Sequence, residues 1–332
     1  MAKISPEISS KPVNVPQSSI FNPLSSLQKW ASFVKISHTV FALPFALAAM
    51  AVAARDERGW PGWEKFALIL VAMVCARTAA MAFNRIMDRK FDAKNPRTTN
   101  RHLPAGQISL ASAWMLWSVS AVGLITASWF INTLCFALSP VALAVVCFYS
   151  LTKRFTDFTH VFLGVALALA PIGAWMAVTG TFSFWPERCA MDHLPLQHSA
   201  LLPLLLAVTV VFWLIGFDII YALQDYEFDR SHGLHSLVVR WGPKNALAAA
   251  FLAHLVMCGV LFAFGLLAGF RIAFIAGWII IVVCLVMEHW IARRRSLNWI
   301  NVAFFKLNAV ISMVFLVVTV AEVVFKGGFR LR

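Results

Sequence analysis

The chain has 332 residues, of which 60% are apolar and only 13% are charged, and its formal net charge is +13. A soluble domain is usually about half apolar and about one-quarter charged, so this composition excludes a water-soluble fold and indicates a lipid bilayer as the main solvent. Lys and Arg gather in the cytoplasmic loops of membrane proteins, which accounts for the charge without nucleic acid as a partner.

The chain begins with a polar segment. Residues 1–24 are rich in Ser and Pro and lack the apolar core of a signal peptide, so we interpret them as a cytoplasmic tail. An interfacial segment follows around residues 27–33, and one membrane domain is predicted over residues 25–328. Nine apolar segments of membrane-spanning length are predicted at 36–54, 65–86, 109–128, 131–151, 159–180, 201–224, 245–268, 272–292 and 303–325.

The distribution of Lys and Arg predicts the orientation of these spans. With the N-terminus in the cytoplasm, 19 of the 28 basic residues lie on the cytoplasmic side and 8 on the other side, and Arg77 lies inside a span. This excess favours a cytoplasmic N-terminus and an external C-terminus. We interpret residues 181–199 as an external loop of unassigned role.

Regularly spaced polar residues end the second predicted span. Asn84, Asp88 and Asp92 are four residues apart, so at about 100° per residue they share one face of a helix. We call these residues the first aspartate cluster.

A second group of carboxylates follows the sixth predicted span. Asp218 and Asp225 are seven residues apart, and we expect them nearly eclipsed on one helix, with Asp229 one turn later. We call these three the second aspartate cluster. Under the predicted orientation both clusters lie on the cytoplasmic side, and together they hold five of the eight aspartates in the chain.

The two clusters predict a site for Mg²⁺ and a diphosphate. Like charges along one helix face repel each other, and ionisable groups near hydrocarbon usually mark a functional site. Mg²⁺ is typically bound by one or two carboxylates together with substrate phosphates. In the alternative interpretation the aspartates are solvated and paired with nearby cations, namely Arg85, Arg89, Lys90 and Arg230.

Four cations near the clusters are candidates for binding the diphosphate. Arg97 and Arg101 follow the first cluster, and Lys153 and Arg154 end the fourth predicted span. Arg is suited to bidentate contacts with phosphate. The positive-inside rule by itself also places Lys and Arg here, so both explanations stay open.

Three further residues are candidates for contacts inside the site, and a tyrosine hydroxyl there could reach an anion or a carboxylate. Tyr149 and Tyr221 each precede a charged residue of these groups by one turn, although interfacial tyrosines follow the same pattern. Arg77 lies inside the second span, seven residues before Asn84 and therefore on the same face, which favours a role in a cavity.

Polar residues on the last three spans are far from both clusters in the sequence. We interpret His254, His289 and Glu288 as packing residues that form hydrogen bonds or reach towards a helix end. Asn308 either forms a hydrogen bond across helices or faces the cavity.

Two segments of the chain carry a family resemblance. Residues 84–106, with the sequence NRIMDRKFDAKNPRTTNRHLPAG, resemble the first signature of the UbiA-type polyprenyltransferases. Residues 218–236, with the sequence DIIYALQDYEFDRSHGLHS, resemble the second. Residues 37–47, 149–154 and 304–308 are also similar to family segments, and the likeness covers about residues 25–325.

The resemblance implies an all-α integral membrane fold, a bundle of about nine transmembrane helices around a central cavity. It implies Mg²⁺-dependent transfer of a polyprenyl group from polyprenyl diphosphate to an aromatic acceptor, commonly in quinone biosynthesis. The catalytic residues would be Asp88, Asp92, Asp225 and Asp229. The metal ligands would be these four aspartates and Asn84. Lys153 or Arg154 would contact the diphosphate or the acceptor, and the candidates for binding the acceptor are Arg77, Asn84, Tyr149, Asp218 and Tyr221.

One departure from the family pattern leaves the acceptor open. Arg85 stands where many members have an acidic residue. The resemblance implies 4-hydroxybenzoate or a related quinone precursor as the acceptor, with a menaquinone precursor of the futalosine or naphthoate route as the alternative. A polytopic transporter is the alternative from a different class. In a bacterium the protein would be a multi-pass protein of the inner membrane, in contact with lipid, with its active site facing the cytoplasm.

Overall fold

The computed structural model describes residues 23–35, 39–184, 199–293 and 303–325, and this part of the chain is helical without strands. The α-helices are α1 (Pro23–Phe33), α2 (Thr39–Ala53), α3 (Trp63–Asp92), α4 (Leu110–Ile131), α5 (Thr133–Phe148), α6 (Thr159–Thr179), α7 (Leu201–Ala222), α8 (Tyr226–Ser231), α9 (Leu237–Leu267), α10 (Ile272–Arg293) and α11 (Asn308–Val324). Short 3₁₀ turns at Tyr149–Arg154 and Leu223–Asp225 follow α5 and α7. The prediction of an all-helical membrane protein is confirmed.

Eight helical segments of the described residues are long and apolar enough to cross a membrane. They correspond to the second to ninth predicted spans, and the first corresponds to the shorter helix α2. Large apolar side chains cover the outside, including Trp63 (75% exposed), Phe130 (66%) and Val119 (65%). Lipid is the solvent that such a surface requires. Nine spans and a cytoplasmic N-terminus stay predictions.

The domain bounds also stay predictions. Residues 1–22, most of the predicted tail, and residues 326–332 lie outside the described residues. Most of the predicted external loop lies outside them as well, at residues 185–198.

Polar N-cap residues mark the starts of helices in parts of the sequence that are almost continuously apolar. Asn132 alone divides α4 from α5, and its side chain accepts a hydrogen bond from the Cys135 amide at 2.8 Å. Ser236 caps α9 in the same way, through the Val239 amide at 3.2 Å. The seventh predicted span, 245–268, is the straight part of α9, because Gly242 (φ 77°) and Pro243 kink the helix before it.

The core lies where α2, α6, α7, α9 and α11 pack together. Phe45 stacks on Phe315 with ring centroids 4.8 Å apart, and Trp213 packs against Phe45 at 5.0 Å. Gly164 lets α6 approach α7 closely, because a Cβ there would lie 3.0 Å from the backbone of Val211. This packing holds α6 and α7, which both carry site residues, in direct contact.

A buried polar network joins α7, α9, α10 and α11. The Trp213 indole donates to Asn308 at 2.8 Å, and the Asn308 amide donates to Glu288 at 3.0 Å. His254 contacts His289 at 2.9 Å and the Trp213 carbonyl at 3.3 Å. The two histidines and Glu288 therefore pack by hydrogen bonds, as predicted, and Asn308 bonds across helices and does not line the cavity described below.

Candidate functional site

A cavity of about 720 Å³ runs along α3, α5, α6 and α7. One end is polar and is formed by the last turns of α3, the loop after it, the 3₁₀ turn after α5 and the end of α7. The rest is apolar and is lined by side chains such as Ile69, Leu124, Ile131, Leu163 and Leu167. The cavity brings together all the predicted site residues, namely Arg77, Asn84, Asp88, Asp92, Arg97, Arg101, Tyr149, Lys153, Arg154, Asp218, Tyr221, Asp225 and Asp229.

The first aspartate cluster lies on one face of α3, as the spacing predicts. The Asn84 amide donates to Asp88 at 2.9 Å, and Asp88 lies 3.8 Å from the Arg154 guanidinium. Arg101 binds Asp92 at 2.7 Å. The first cluster is therefore neutralised by cations from two other segments of the chain.

The second aspartate cluster differs from the prediction of one continuous helix. Helix α7 ends at Ala222, a 3₁₀ turn carries Asp225, and Asp229 lies on the separate short helix α8. A 3₁₀ turn advances about 120° per residue instead of about 100°, so its three residues rotate Asp225 by only about 60° from its position on a regular helix, and Asp218 and Asp225 both line the cavity. Asp218 pairs with His160, and Asp225, about two turns further along, pairs with Arg97.

Arg97 connects the loop after α3 to the end of α7. Its guanidinium binds both carboxylate oxygens of Asp225 and donates to the Tyr221 hydroxyl at 3.0 Å. Asn95 adds a bond to Asp225 at 3.2 Å. Burial alone would lower the pKa of Arg97, but its hydrogen bond to Asp225 and the neighbouring Tyr221 raise the pKa above its usual value. Arg97 therefore stays charged beside the carboxylates.

The 3₁₀ turn after α5 brings a second cation to this end. Lys153 binds Asp229 at 3.3 Å, and the Lys153 carbonyl accepts the His235 amide at 2.8 Å. Asp229 is 3% exposed, so this pair lies deep at the polar end. The four predicted diphosphate-binding cations thus each contact a carboxylate of the two clusters.

Arg77, Tyr149 and Asp218 line the cavity further along. The buried Nε of Arg77 has no hydrogen-bond partner within the described part of the chain. An unpaired donor costs free energy in a buried site, so an anionic or hydrogen-bond-accepting substrate group is the partner that this position favours.

The side chains at the polar end of the cavity are of the chemical type that binds a magnesium ion. Five oxygen-bearing side chains of the two clusters line one end of the cavity, and carboxylate and amide oxygens are ligands for Mg²⁺. Across the described ranges no three His, Cys, Asp or Glu side chains are already arranged as a metal site. Mg²⁺ usually takes one or two carboxylates and completes its shell with waters and phosphates.

Three cavity residues were not predicted from the sequence. Asn95 bonds Asp225, His160 bonds Asp218, and Lys35 lines the cavity from the segment between α1 and α2. Burial and the positive charges of nearby arginines together lower the pKa of Lys35 to about 7. Asn95 lies inside the first family signature, which was the available signal for it, whereas nothing in the sequence connects His160 with Asp218.

Arg85, the departure from the family pattern, lies outside the cavity. It is 6% exposed, and its Nε lies 3.5 Å from the Phe33 carbonyl at the end of α1. Phe33 itself packs against Ala82 and Ile86 of α3. Arg85 thus attaches α1 to the bundle and does not alter the cavity wall.

Comparison with known proteins gives a consistent result. The model of the UbiA prenyltransferase family matches residues 42–310. A 4-hydroxybenzoate octaprenyltransferase of Burkholderia vietnamiensis is 30% identical over 241 residues, which is 72% of this chain and 76% of that protein. One of Paraburkholderia phytofirmans is 28% identical over 260 residues, 74% of this chain and 83% of the relative.

Solved structures share the fold. The apo structure of a UbiA homologue from Aeropyrum pernix K1 has a TM-score of 0.73 and 29% identity, and covers 86% of this chain and 98% of that one. A UbiA homologue from Archaeoglobus fulgidus bound to GPP and Mg²⁺ has a TM-score of 0.64 at 19% identity, covering 88% and 99% of the two chains. The second likeness supports the fold alone.

Proposed function

Since the chain belongs to the UbiA prenyltransferase family, we propose that it transfers a polyprenyl group from polyprenyl diphosphate to 4-hydroxybenzoate or a related aromatic quinone precursor. One observation carries this proposal. A single cavity has the carboxylates and cations of both clusters at one end and an apolar wall along the rest. A polyprenyl diphosphate has the same division, a charged head on an apolar chain.

The polar end would bind the diphosphate. Asn84, Asp88, Asp92, Asp225 and Asp229 would hold Mg²⁺. When bound, Mg²⁺ would act as a Lewis acid that assists departure of the diphosphate. Arg97, Arg101, Lys153 and Arg154 would share the negative charge that develops on the leaving group, and Lys35 lies where it can add a further cation.

The middle of the cavity would bind the aromatic acceptor. Arg77 supplies an unpaired buried donor, and the same cavity is lined by Asn84, Tyr149, Tyr221 and Asp218. The carbon–oxygen bond breaks first, and the electron pair leaves with the diphosphate. A ring carbon held against the resulting allylic cation then forms the new carbon–carbon bond, and the ring releases a proton to the diphosphate or to water as it regains its aromaticity. Positioning provides much of the acceleration. The apolar wall keeps water from the cation.

The membrane setting follows from the donor. The polyprenyl chain can lie in the apolar part of the cavity or extend into lipid. We place the polar end at the cytoplasmic face because the Lys and Arg excess favours that orientation. In a bacterium the membrane would be the inner membrane.

Two molecules are candidates for the aromatic acceptor. The relatives named above are 4-hydroxybenzoate enzymes, which favours 4-hydroxybenzoate. A menaquinone precursor of the futalosine or naphthoate route is the alternative. The family match leaves no support for a transporter.

Membranes containing the protein, supplied with Mg²⁺ and polyprenyl diphosphate, test this proposal. Release of diphosphate and mass spectrometry of the products are measured with 4-hydroxybenzoate, naphthoate-type and futalosine-derived acceptors. We expect a prenylated product with one acceptor class and loss of activity by about 100-fold or more in D88N and D225N.

The matched control is D157N. Asp157 is an aspartate of the same end of the bundle and pairs with His235 and Arg240 at 3.0 Å, but it does not line the cavity. D157N should keep most of the activity. Near-normal activity in both D88N and D225N would reject the assignment of the two clusters.

A further inference from the structure

Asp218 differs from the other aspartates of the two clusters in its partner. Asp88, Asp92, Asp225 and Asp229 each pair with Arg or Lys, as described above. Asp218 pairs with a histidine, and the distance between its Oδ2 and the Nδ1 of His160 is 2.6 Å. A separate role for this carboxylate is therefore indicated.

His160 is part of the cavity wall, but its imidazole side chain is only 1% exposed. It is in the first turn of α6, and the residue is 0% exposed. Its buried Nε2 has no hydrogen-bond partner among the residues that the structure describes. The Asp218 side chain is 22% exposed in the otherwise closed bundle and lines the cavity. A substrate would thus meet the carboxylate, and the imidazole would act only through it.

The chemistry of the pair assigns the direction of the hydrogen bond. An ionised carboxylate can only accept, so Nδ1 carries the hydrogen and donates it to Oδ2. A bond from a buried imidazole on a rigid helix fixes the rotamer of the carboxylate, as supporting residues do for metal ligands. The Oδ1 atom of Asp218 then keeps its capacity to accept, because no other partner of Asp218 is present in the described part of the chain.

We propose that His160 is a positioning residue for the aromatic acceptor and that it holds Asp218 so that Oδ1 accepts a hydrogen bond from a hydroxyl group of that acceptor. The inference rests on the proposed function. When the ring attacks the allylic cation, positive charge develops on the ring and its hydroxyl group. A carboxylate fixed beside that hydroxyl stabilises this charge without first having to reorient.

Kinetic constants for the two substrates, measured separately, test the proposal. In H160L the carboxylate loses its donor, and we expect kcat/KM for the acceptor to fall about tenfold or more. The KM for polyprenyl diphosphate should stay within about twofold, because its contacts are elsewhere. H160N places an amide donor close to the former Nδ1 and should recover part of the acceptor kcat/KM.

His254 provides the matched control. It is also a buried histidine, 2% exposed, but belongs to the polar network outside the cavity. H254L removes a buried imidazole of the same size, so any fall in its activity should come from lower folded content and affect both substrates alike.

Two outcomes would overturn the proposal. One is an H160L enzyme whose constants for donor and acceptor change equally, and the other is an H160N enzyme no better than H160L. If H160L does not fold, H160N is compared in wild-type and D218N backgrounds. If His160 acts by positioning Asp218, H160N should no longer change kcat/KM for the acceptor in the D218N background. Product formation by the unsubstituted protein tests the proposed function separately.

Discussion

At the scale of single residues, the polar end of the cavity is a set of exchangeable ion pairs. Arg97 with Asp225 and Lys153 with Asp229 join segments distant in sequence, and both cations are partly exposed to the cavity. The Asp225 and Asp229 side chains are only 11% and 4% exposed, so each buried carboxylate needs a positive partner. A bound metal ion would take the place of that partner, and the released cations would then be available to phosphate.

Lys35 should make donor binding depend on pH. Burial and the surrounding arginines lower its pKa to about 7 from an ordinary value of 10.5. A bound diphosphate favours the protonated form, so the complex holds a proton that the free protein loses as the pH rises through about 7. We expect the KM for the donor to rise above pH 7, by at most about tenfold per pH unit.

Two substitutions separate this effect from the ionisation of the diphosphate itself. K35R keeps its charge at all these pH values and should flatten the rise, whereas K35M should have a high KM for the donor already at pH 6. The KM is measured from pH 6 to pH 9 with saturating Mg²⁺ and acceptor. An identical profile for the wild type and K35R would show that Lys35 does not bind the diphosphate.

At the scale of the elements, helical spacing predicts which carboxylates share a face but does not predict their partners. Seven residues separate Asp218 from Asp225, and the 3₁₀ turn at Leu223–Asp225 leaves them about 40° apart, so both line the cavity. Asp218 pairs with His160 of α6, whereas Asp225 pairs with Arg97 of the loop after α3. Helix α3 is regular through Asp92, and its carboxylates also take their cations from other segments of the chain.

The contact between α7 and α9 depends on the absence of a side chain at Gly216. A Cβ there would lie 2.1 Å from Nε2 of His254, so G216A must displace the imidazole from the Trp213 carbonyl and from His289. We expect a loss of about 1–3 kcal/mol of stability, seen as a lower Tm in detergent.

G259A is the matched control in α9. A Cβ at Gly259 meets nothing within 4 Å, so this change should leave the Tm unchanged or raise it slightly. Equal Tm values for the two variants would show that α7 and α9 do not need this close approach.

At the scale of the whole molecule, an apolar exterior encloses a cavity with one charged end. The loop after α3 and residue 181 after α6 lie at opposite ends of the bundle, because α6 begins beside Asp218 and ends at Thr179. With the charged end in the cytoplasm, K94C in a cysteine-free background should be protected from a membrane-impermeant maleimide in spheroplasts. T181C should be labelled.

Inverted vesicles provide the control, because their cytoplasmic face is outside. In these vesicles K94C should be labelled and T181C should be protected. Lys94 and Thr181 are both exposed, so neither result depends on opening the fold. Labelling of K94C in spheroplasts would reverse the predicted orientation.

The sequence by itself determined the membrane class, the approximate helices, the two clusters and their cations, since hydropathy and helical spacing are local properties of the chain. It also identified the family, through two contiguous signatures. Only the tertiary structure decided which charges pair, that Arg85 faces α1, and that His160 supports Asp218. These contacts join residues 52 to 130 positions apart, such as Arg85 with Phe33 and Asn95 with Asp225. Packing of separate helices brings such residues together, and no local pattern records it.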